Sequence, residues 1–266
     1  MPSIPWLRTS GPAVAVRCLS LLSLGLSGCG DSHPRLYFAL NHSFLQGSSL
    51  AVPASGVRAM TDPASLPDIK SGDGSVFRLE TAFAIVADIR LELGGGLRCE
   101  DVEDELPEGT RCVQSGDAPG TVTLAGPFSI DLATGEPWND VEIPRVPPGI
   151  YRRVDFVLGK GGLKAHSRLT QDSRAWDMNL TLPEGTALGF ETAYDLTLEE
   201  GGSLRVMFNQ DAWLRELPLG ACFQSGDLPR TDSELRLDEA RGECQGAGDR
   251  VRDTIRTRIS LQARSF

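Results

Sequence analysis

The sequence predicts an all-β protein: an antiparallel β-sandwich with a short helix and an irregular, disulfide-containing C-terminal part. Three observations predict this fold class. Apolar and polar residues alternate along several short segments, which is the period of half-buried strands. Glycine- and proline-rich turns separate these segments at short intervals. Few stretches show the three-to-four-residue apolar spacing of a helix.

The N-terminal segment is typical of an export signal. It contains Arg8 and Arg17 but no acidic residue before Asp31, and its apolar part runs only from Cys18 to Leu26. A positive region followed by a short apolar region describes a secretory signal, whereas a bilayer span needs about 20 apolar residues. Residues 1–28 are therefore predicted to be a signal peptide that is removed.

The residues around the predicted cleavage site, Leu26-Ser27-Gly28-Cys29, resemble the lipobox of bacterial lipoproteins. The resemblance implies that the Cys29 thiol is joined to diacylglycerol and that Cys29 becomes the first residue. A cysteine with two or three acyl chains is a stable anchor, because each buried CH₂ contributes ~0.8 kcal/mol. Gly30 follows the cysteine where Asp would retain an enterobacterial lipoprotein in the inner membrane, so the outer membrane is expected. An ordinary signal peptide cut near Gly28 is the alternative.

The cysteines predict disulfide bonds. If Cys18 leaves with the signal and Cys29 carries lipid, four remain: Cys99, Cys112, Cys222 and Cys244. An even number in an exported chain indicates disulfides, and four cysteines allow three connectivities. The local pairing, Cys99–Cys112 with Cys222–Cys244, is preferred because each pair brackets a loop-like segment rich in glycine and acidic residues. Zinc is disfavoured, since no C-x₂-C spacing occurs and the three histidines are scattered.

A short repeat leaves another pairing open. "CVQSGDAP" begins at Cys112 and "CFQSGDLP" begins at Cys222. A duplicated domain would require both cysteines to pair in the same direction, which conflicts with the local pairing. The repeat therefore predicts either a recurring turn, in which Ser and Asp bond their own backbone beside Gly, or a Cys112–Cys222 disulfide, and the recurring turn is preferred.

The charge of the chain excludes some ligands. The formal net charge is −10, and loss of Arg8 and Arg17 with the signal takes it to −12. An acidic protein without a basic stripe is a poor candidate for binding nucleic acid or anionic lipid headgroups. The segment between the first two cysteines is the most acidic part, and it offers a weak calcium candidate formed by Glu100, Asp101, Glu103 and Asp104. A solvated loop is preferred there, because the ordered ligand alternation of an EF-hand is absent.

The elements are predicted in this order. Residues 29–74 are a lipid-anchored tether rich in Ser, Pro, Gly and Ala, in which only "RLYFAL" (35–40) resembles a strand. Residues 75–219 form the sandwich. Its first segment, "VFRLETAFAIVADIRLEL", has apolar or small residues at most odd positions and predicts one strand, or two joined near Ala84. Further strands are expected in "TVTLAG", "FSIDLA", "IYRRVDFVLG", "LGFETAYDLTLEE" and "SLRVMF".

The C-terminal part is predicted to be less regular. "DAWLREL" could form one or two helical turns with Asp211 as the N-cap. Residues 220–266 are expected to be a disulfide-looped extension that packs on the sandwich. In "DRVRDTIRTRISLQARSF" the spacing of apolar residues fits a helix at the start and a strand at the end.

Several segments resemble a family of bacterial lipoproteins with a transthyretin-like β-sandwich domain of unknown function. They are "VADIRLEL", "VTLAGPFSIDLATG", "VPPGIYRRVDFVLG" and "GFETAYDLTLEEGGSLRVMF", and the resemblance spans roughly residues 77–210. The family has a turn of the type P-x-G-x-Y before a strand, and Pro147, Gly149 and Tyr151 match it. The resemblance implies the fold and the compartment, but no reaction.

No catalytic motif or cofactor motif is present: the chain lacks a nucleophile elbow, a zinc-protease helix, a P-loop and a dinucleotide-binding glycine pattern. His166 is the one histidine with a plausible catalytic position, and it is expected to face solvent. Trp138 lies in a turn and Trp176 in a polar stretch, and both could stack on a sugar. Packing under a loop is the preferred interpretation for each.

We therefore expect a lipid-anchored, outer-membrane protein that acts by binding a protein or glycan, as an adhesin, glycan binder or envelope component, without catalysis and without a cofactor. The alternative is a periplasm-facing structural or assembly partner of another envelope protein, which would dock through a sheet edge or an aromatic patch.

Overall fold

Two β-sheets and two short helices make up the computed structural model, which describes residues 32–41, 66, 68–138, 142–171 and 174–265. The predicted all-β, sandwich-like fold with a disulfide-containing C-terminal part is confirmed. Among the described residues, no helix is long and apolar enough to cross a membrane.

The strands of the large sheet are β2 (Asp68–Lys70), β3 (Val76–Leu93), β4 (Thr110–Val113), β5 (Thr121–Leu124), β6 (Phe128–Asp131), β7 (Glu136–Pro137), β8 (Gly149–Gln171), β9 (Arg174–Leu182), β10 (Ala187–Leu198), β12 (Arg230–Thr231) and β13 (Glu234–Leu235). Strands β3 and β8 are its long central pair. The other side of β3 pairs in turn with β2, β6 and β5, and the other side of β8 pairs with β10 and then with β9.

The small sheet contains β1 (Arg35–Leu40), β11 (Ser203–Phe208) and β14 (Ile259–Arg264). Strand β1 runs parallel to β11, and β14 runs antiparallel to it. The predicted strand "RLYFAL" therefore exists and docks on the domain. It is joined to the large sheet by aromatic packing, because the Phe38 and Phe156 rings meet edge to face at 5.1 Å, and Phe156 meets Phe208 at 6.3 Å. Burying each of these side chains stabilises the fold by roughly 1.5–3 kcal/mol.

Strand β3 corrects one prediction about which residues face the core. The alternation predicted that odd positions would be buried along its whole length. Its buried residues are Phe77, Leu79, Ala82, Ala84, Val86, Ile89, Leu91 and Leu93. The prediction is therefore right at both ends but wrong in the middle, where Phe83 is 38% exposed and Ile85 and Ala87 are partly exposed.

Two β-bulges cause this change of face. Between Leu79 and Thr81, and again between Ala87 and Arg90, β3 has one residue more than its partner β8. One extra residue moves every following side chain to the other face of the sheet, so the first bulge turns Phe83 outward and the second restores the original alternation. Asp88, in the second bulge, has φ +48°. The segment is thus one bulged strand rather than two strands.

Both disulfides follow the local pairing. Cys99 bonds Cys112 and Cys222 bonds Cys244, with Cα–Cα distances of 5.4 and 6.1 Å. The zinc and Cys112–Cys222 alternatives are therefore wrong. The two copies of the sequence repeat fold differently: Cys112 and Val113 end β4, whereas Cys222–Ser225 lie in a helix. They share only a left-handed glycine, Gly116 (φ +55°) in one copy and Gly226 (φ +82°) in the other.

The C-terminal part contains both helices, α1 (Leu219–Ser225) and α2 (Ala247–Thr257). The predicted change from helix to strand is confirmed in α2 and β14. Because β14 is a full strand of the small sheet, residues 220–266 are built into the sandwich as well as packing on it. In the segment "DAWLREL" the N-cap prediction is wrong: a single 3₁₀ turn, Gln210–Ala212, has Asn209 as its N-cap.

Candidate binding groove

The outer face of the large sheet carries an apolar groove, which we call the aromatic groove. Its volume is about 340 Å³, and its lining residues are Phe83, Ala84, Ile85, Ser129, Ile130 and Trp138. The rings of Phe83 and Trp138 lie 6.2 Å apart between centroids, with an angle of 37° between their planes. Trp138 is 52% exposed, so both rings present surface to solvent.

The floor of the groove depends on a glycine-rich bulge in β8. Between the pairs Ala84–Leu163 and Val86–Leu158, β8 contains the extra segment 159–162, opposite Ile85. A Cβ added at Gly159 or at Gly161 would lie 2.9 Å from the Ile85 side chain. A side chain at either position would displace Ile85, and Gly161 (φ +115°) also has a backbone conformation that favours glycine. The segment 159–162 is thus a glycine-rich bulge inside a continuous strand.

The hairpin of β6 and β7 positions Trp138. The backbone N–H of Trp138 donates to the Ser129 carbonyl oxygen at 2.7 Å. At the turn, the Asp131 carboxylate accepts a 2.8 Å hydrogen bond from the Ala133 N–H, and the Thr134 hydroxyl oxygen accepts one from the Glu136 N–H at 3.2 Å. Sequence analysis found Trp138 as a candidate but missed Phe83, because its period assigned Phe83 to the core.

A row of side chains crosses four strands at the level of Phe83. Phe83 pairs with Asp131 of β6 on one side and with Lys164 of β8 on the other, and Lys164 pairs with Thr181 of β9. Directly paired residues project from the same face of a sheet. Lys164 and Thr181 are exposed. The row therefore places one carboxylate and one ammonium group on opposite sides of the Phe83 ring. Among the described residues, those that line the groove carry no ionisable side chain.

The next row of the same face is occupied by an ionic network around His166. Asn179 donates through Nδ2 to Glu234 Oε1 at 2.7 Å, so its Oδ1 is the atom that lies 3.1 Å from His166 Nδ1. The other ring nitrogen, Nε2, lies 3.3 Å from Glu80 Oε2, and Glu80 also binds Arg168 at 2.8 Å. All the described partners of His166 are carboxylate or amide side chains, which leaves both ring nitrogens engaged.

Trp176, the second predicted sugar-stacking candidate, lies outside the groove. Its ring contacts Phe223 of α1 edge to face, with 5.4 Å between centroids. The Arg230 guanidinium lies 5.1 Å from the Trp176 centroid and 4.8 Å from the Phe223 centroid. The Trp176 ring thus packs against the C-terminal part, in agreement with the second of the two interpretations from sequence.

The carboxylates of the acidic loop between Cys99 and Cys112 do not come together to form a cation site. Glu100 pairs with Arg98 at 3.4 Å, and the Asp101 carboxylate accepts a 2.7 Å hydrogen bond from the Arg98 backbone N–H. Glu103 and Asp104 are exposed in a second 3₁₀ turn. Within the described residues, no group of three or more His, Cys, Asp or Glu side chains is arranged to hold a metal ion.

Cys29 and the predicted signal peptide lie outside the described residues. Comparisons with protein-family models, with curated proteins and with solved structures found no match to this chain. The aromatic groove is therefore argued from the chemistry and geometry of its own residues.

Proposed function

We propose that this protein is exported, anchored by lipid at Cys29 in the outer membrane, and acts by binding a ligand in the aromatic groove. The signal pattern, the resemblance to a lipobox and the two disulfides support the compartment, because disulfides persist mainly in oxidising environments. The observation that carries the binding role is the pair of neighbouring exposed rings, Phe83 and Trp138.

The pair supports binding because such a surface is unusual in a free protein. Contiguous exposed apolar surface rimmed by polar groups commonly marks an interaction site. Aromatic rings combine a large apolar area with a specific geometry, which suits them to contacts that are made and broken. The ligand is a glycan, a protein or another component of the envelope. No catalytic step and no cofactor are part of this proposal.

The anchor is tested by replacing Cys29→Ser and labelling growing cells with a clickable palmitate analogue. We expect the label and the membrane association to be lost, since two or three acyl chains supply the anchoring. Cys18→Ser is the matched control, because it changes a cysteine of the signal that is absent from the mature chain. Unchanged labelling of Cys29→Ser would contradict the anchor.

The groove is tested by binding the full chain to isolated cell-envelope fractions. Phe83→Ala and Trp138→Ala should reduce retention strongly. Tyr194→Ala should not, although Tyr194 is 74% exposed and is also aromatic. Equal retention of all three variants would refute a binding role for the groove.

The alternative function, a periplasm-facing assembly partner, is supported by a different feature. Strand β4 is an edge of the large sheet, and Val113 at its end is 58% exposed. An exposed sheet edge can pair with an extended segment of another protein. Protease treatment of intact cells, with a periplasmic protein as control, separates the two: digestion supports a surface-facing binder, and protection until the outer membrane is opened supports the periplasmic partner.

A further inference from the structure

The groove continues into a polar surface, and this continuity narrows the chemistry of its ligand. We infer that the ligand is an uncharged oligosaccharide that stacks on Trp138 and Phe83 and extends across the strands to Lys164 and Thr181. This inference rests on the binding role proposed for the aromatic groove and adds the ligand class and two further contact residues.

The length of the row requires an extended ligand. Strands β6, β3, β8 and β9 are neighbours at this level, and adjacent strands lie about 4.8 Å apart. The row from Asp131 to Thr181 therefore spans about 14 Å. A single sugar would cover only the part over the two rings, whereas an oligosaccharide lying perpendicular to the strands would reach the Thr181 hydroxyl.

The polar side chains in the row are available to a ligand. Lys164 and Thr181 are exposed, and within the described residues their side chains make no hydrogen bond or ion pair. The neighbouring row differs, because His166, Asn179 and Glu80 already bind one another or other side chains there. The row at Phe83 is thus the free polar extension of the groove, and the His166 network limits the site on one side.

The charges favour a neutral ligand. None of the described residues that line the groove is ionisable, and the row contributes one carboxylate, Asp131, and one ammonium group, Lys164. The whole chain carries a formal charge of −10, which disfavours polyanions. Sugar hydroxyls both donate and accept hydrogen bonds, so they match a row that offers a carboxylate acceptor, an ammonium donor and a hydroxyl.

An apolar peptide fits this surface less well. It would leave the Lys164 ammonium covered without a partner and the Asp131 carboxylate with only the Ala133 N–H, which costs free energy. The groove also lies on the face of the sheet and not on its edge, so a peptide could not pair with strand backbone groups there.

The test is calorimetric titration of the purified full chain with cellohexaose, maltohexaose and chitohexaose, with oligogalacturonate as the anionic probe and an apolar peptide as the third class. We expect at least one neutral oligosaccharide to bind and to change Trp138 fluorescence.

The variants test the contact residues. Trp138→Ala and Phe83→Ala should each weaken the affinity for that oligosaccharide by about tenfold, and Lys164→Ala and Thr181→Val by about threefold. Tyr194→Ala and Thr170→Val, both in exposed positions outside the row, should bind as the wild type does.

The outcomes distinguish a failure of this ligand class from a failure of the binding role proposed for the aromatic groove. Preference for oligogalacturonate or for the peptide would overturn the inference. Binding of a neutral oligosaccharide with unchanged affinity in Lys164→Ala and Thr181→Val would also overturn it. If no oligosaccharide binds while retention on envelope fractions still depends on Trp138, the ligand class is wrong and the binding role stands. If retention does not depend on Trp138 either, both fail. Circular dichroism and melting temperatures of each variant establish that a loss of binding is not a loss of folding.

Discussion

The hydroxyl of Tyr151 donates a 2.7 Å hydrogen bond to the carbonyl oxygen of Pro147, four residues earlier in the chain. Both residues are buried, and the bond closes the turn that leads into β8. This bond gives a physical reason for the spacing of Pro147, Gly149 and Tyr151 that sequence analysis singled out: the proline supplies the acceptor and the tyrosine locks the turn to the first residues of the central strand.

Removing this hydroxyl should destabilise the protein. In Tyr151→Phe the buried Pro147 carbonyl loses its hydrogen-bond partner, and we expect the free energy of unfolding to fall by about 1–3 kcal/mol. Chemical denaturation followed by circular dichroism measures it. Tyr194→Phe, at an exposed tyrosine, is the control and should change stability by less than about 0.5 kcal/mol. Equal effects of the two substitutions would contradict a structural role for the bond.

Tyr151 should also make the protein sensitive to alkali. Burial, aided by the negative charge of Glu105, raises the pKa of Tyr151 well above its ordinary value. The folded state therefore holds this proton at a pH where the unfolded state has lost it. The contribution of Tyr151 to the free energy of unfolding is therefore fully present below about pH 10. It decreases as the pH rises through and above the unfolded-state pKa of tyrosine. Tyr151→Phe should show a shallower alkaline loss of stability, and an unchanged slope would refute the assignment.

Asp73 should stabilise α1 from a distant part of the chain. Its carboxylate accepts hydrogen bonds from the Ala221 N–H at 2.7 Å, from the Ser75 N–H at 3.1 Å and from the Ser71 hydroxyl at 2.5 Å. It thus caps the start of a helix whose own N-cap residue, Pro218, makes no side-chain cap. We expect Asp73→Ala to reduce the free energy of unfolding by about 1 kcal/mol, and Asp73→Asn by less, since Asn retains an acceptor.

The same residue predicts an acid-sensitive contribution. Burial alone would raise the pKa of Asp73, but the hydrogen bonds from Ser71, Ala221 and Ser75 outweigh it and lower the pKa below its usual value. The contribution should therefore be present above about pH 4 and be lost as pH falls through the lower, folded-state pKa. Denaturation curves of the wild type and Asp73→Asn should converge in acid, and a difference that grows in acid would reverse the sign of this prediction.

Each disulfide should contribute comparably to stability. The bridges close segments with sequence separations of 13 and 22, so loop-closure entropy predicts about 3 kcal/mol for each, slightly more for the longer one. Paired replacements, Cys99→Ser with Cys112→Ser and Cys222→Ser with Cys244→Ser, measure the two separately by denaturation. Mass spectrometry of non-reduced peptides checks the connectivity, and a peptide linking Cys112 to Cys222 would contradict it.

Arg230 should hold the C-terminal part against β9. Its guanidinium lies over both the Trp176 and Phe223 rings, and a cation–π contact of this kind contributes about 1 kcal/mol. We expect Arg230→Gln to lower stability by about that amount and to speed proteolysis after residue 219. Arg174→Gln, at an exposed arginine of the same sheet, should do neither. Ligand binding in the aromatic groove should be unaffected by Arg230→Gln.

Local patterns predicted the strands well, because a period of two follows directly from one face meeting the core. The strand at residues 35–40, the long segment β3 and the change from helix to strand near the C-terminus were all readable in this way. The disulfide pairing was also predictable, since loops rich in glycine and acidic residues separate the partners. Trp138 was found because a large ring in a polar turn is conspicuous.

The groove could not be predicted, because its second ring is placed by pairing between distant strands. The alternation in β3 is continuous in sequence, and nothing local indicates that β3 has an extra residue relative to β8 between Leu79 and Thr81. That single residue decides whether Phe83 faces the core or the solvent. Helix α1 was missed for a similar reason: it is seven residues long, and its cap, Asp73, lies far away in the sequence.

The parallel pairing of β1 with β11 has a mechanical consequence. Only five residues separate Cys29 from Arg35, so the proposed anchor at Cys29 would leave a reach of about 20 Å between the lipid and β1. A pull on that anchor would then load β1 from its N-terminal end. Six residue pairs, from Arg35–Ser203 to Leu40–Phe208, would resist this load together instead of opening one after another. The small sheet would thereby carry force from the proposed anchor to the domain that holds the proposed binding groove.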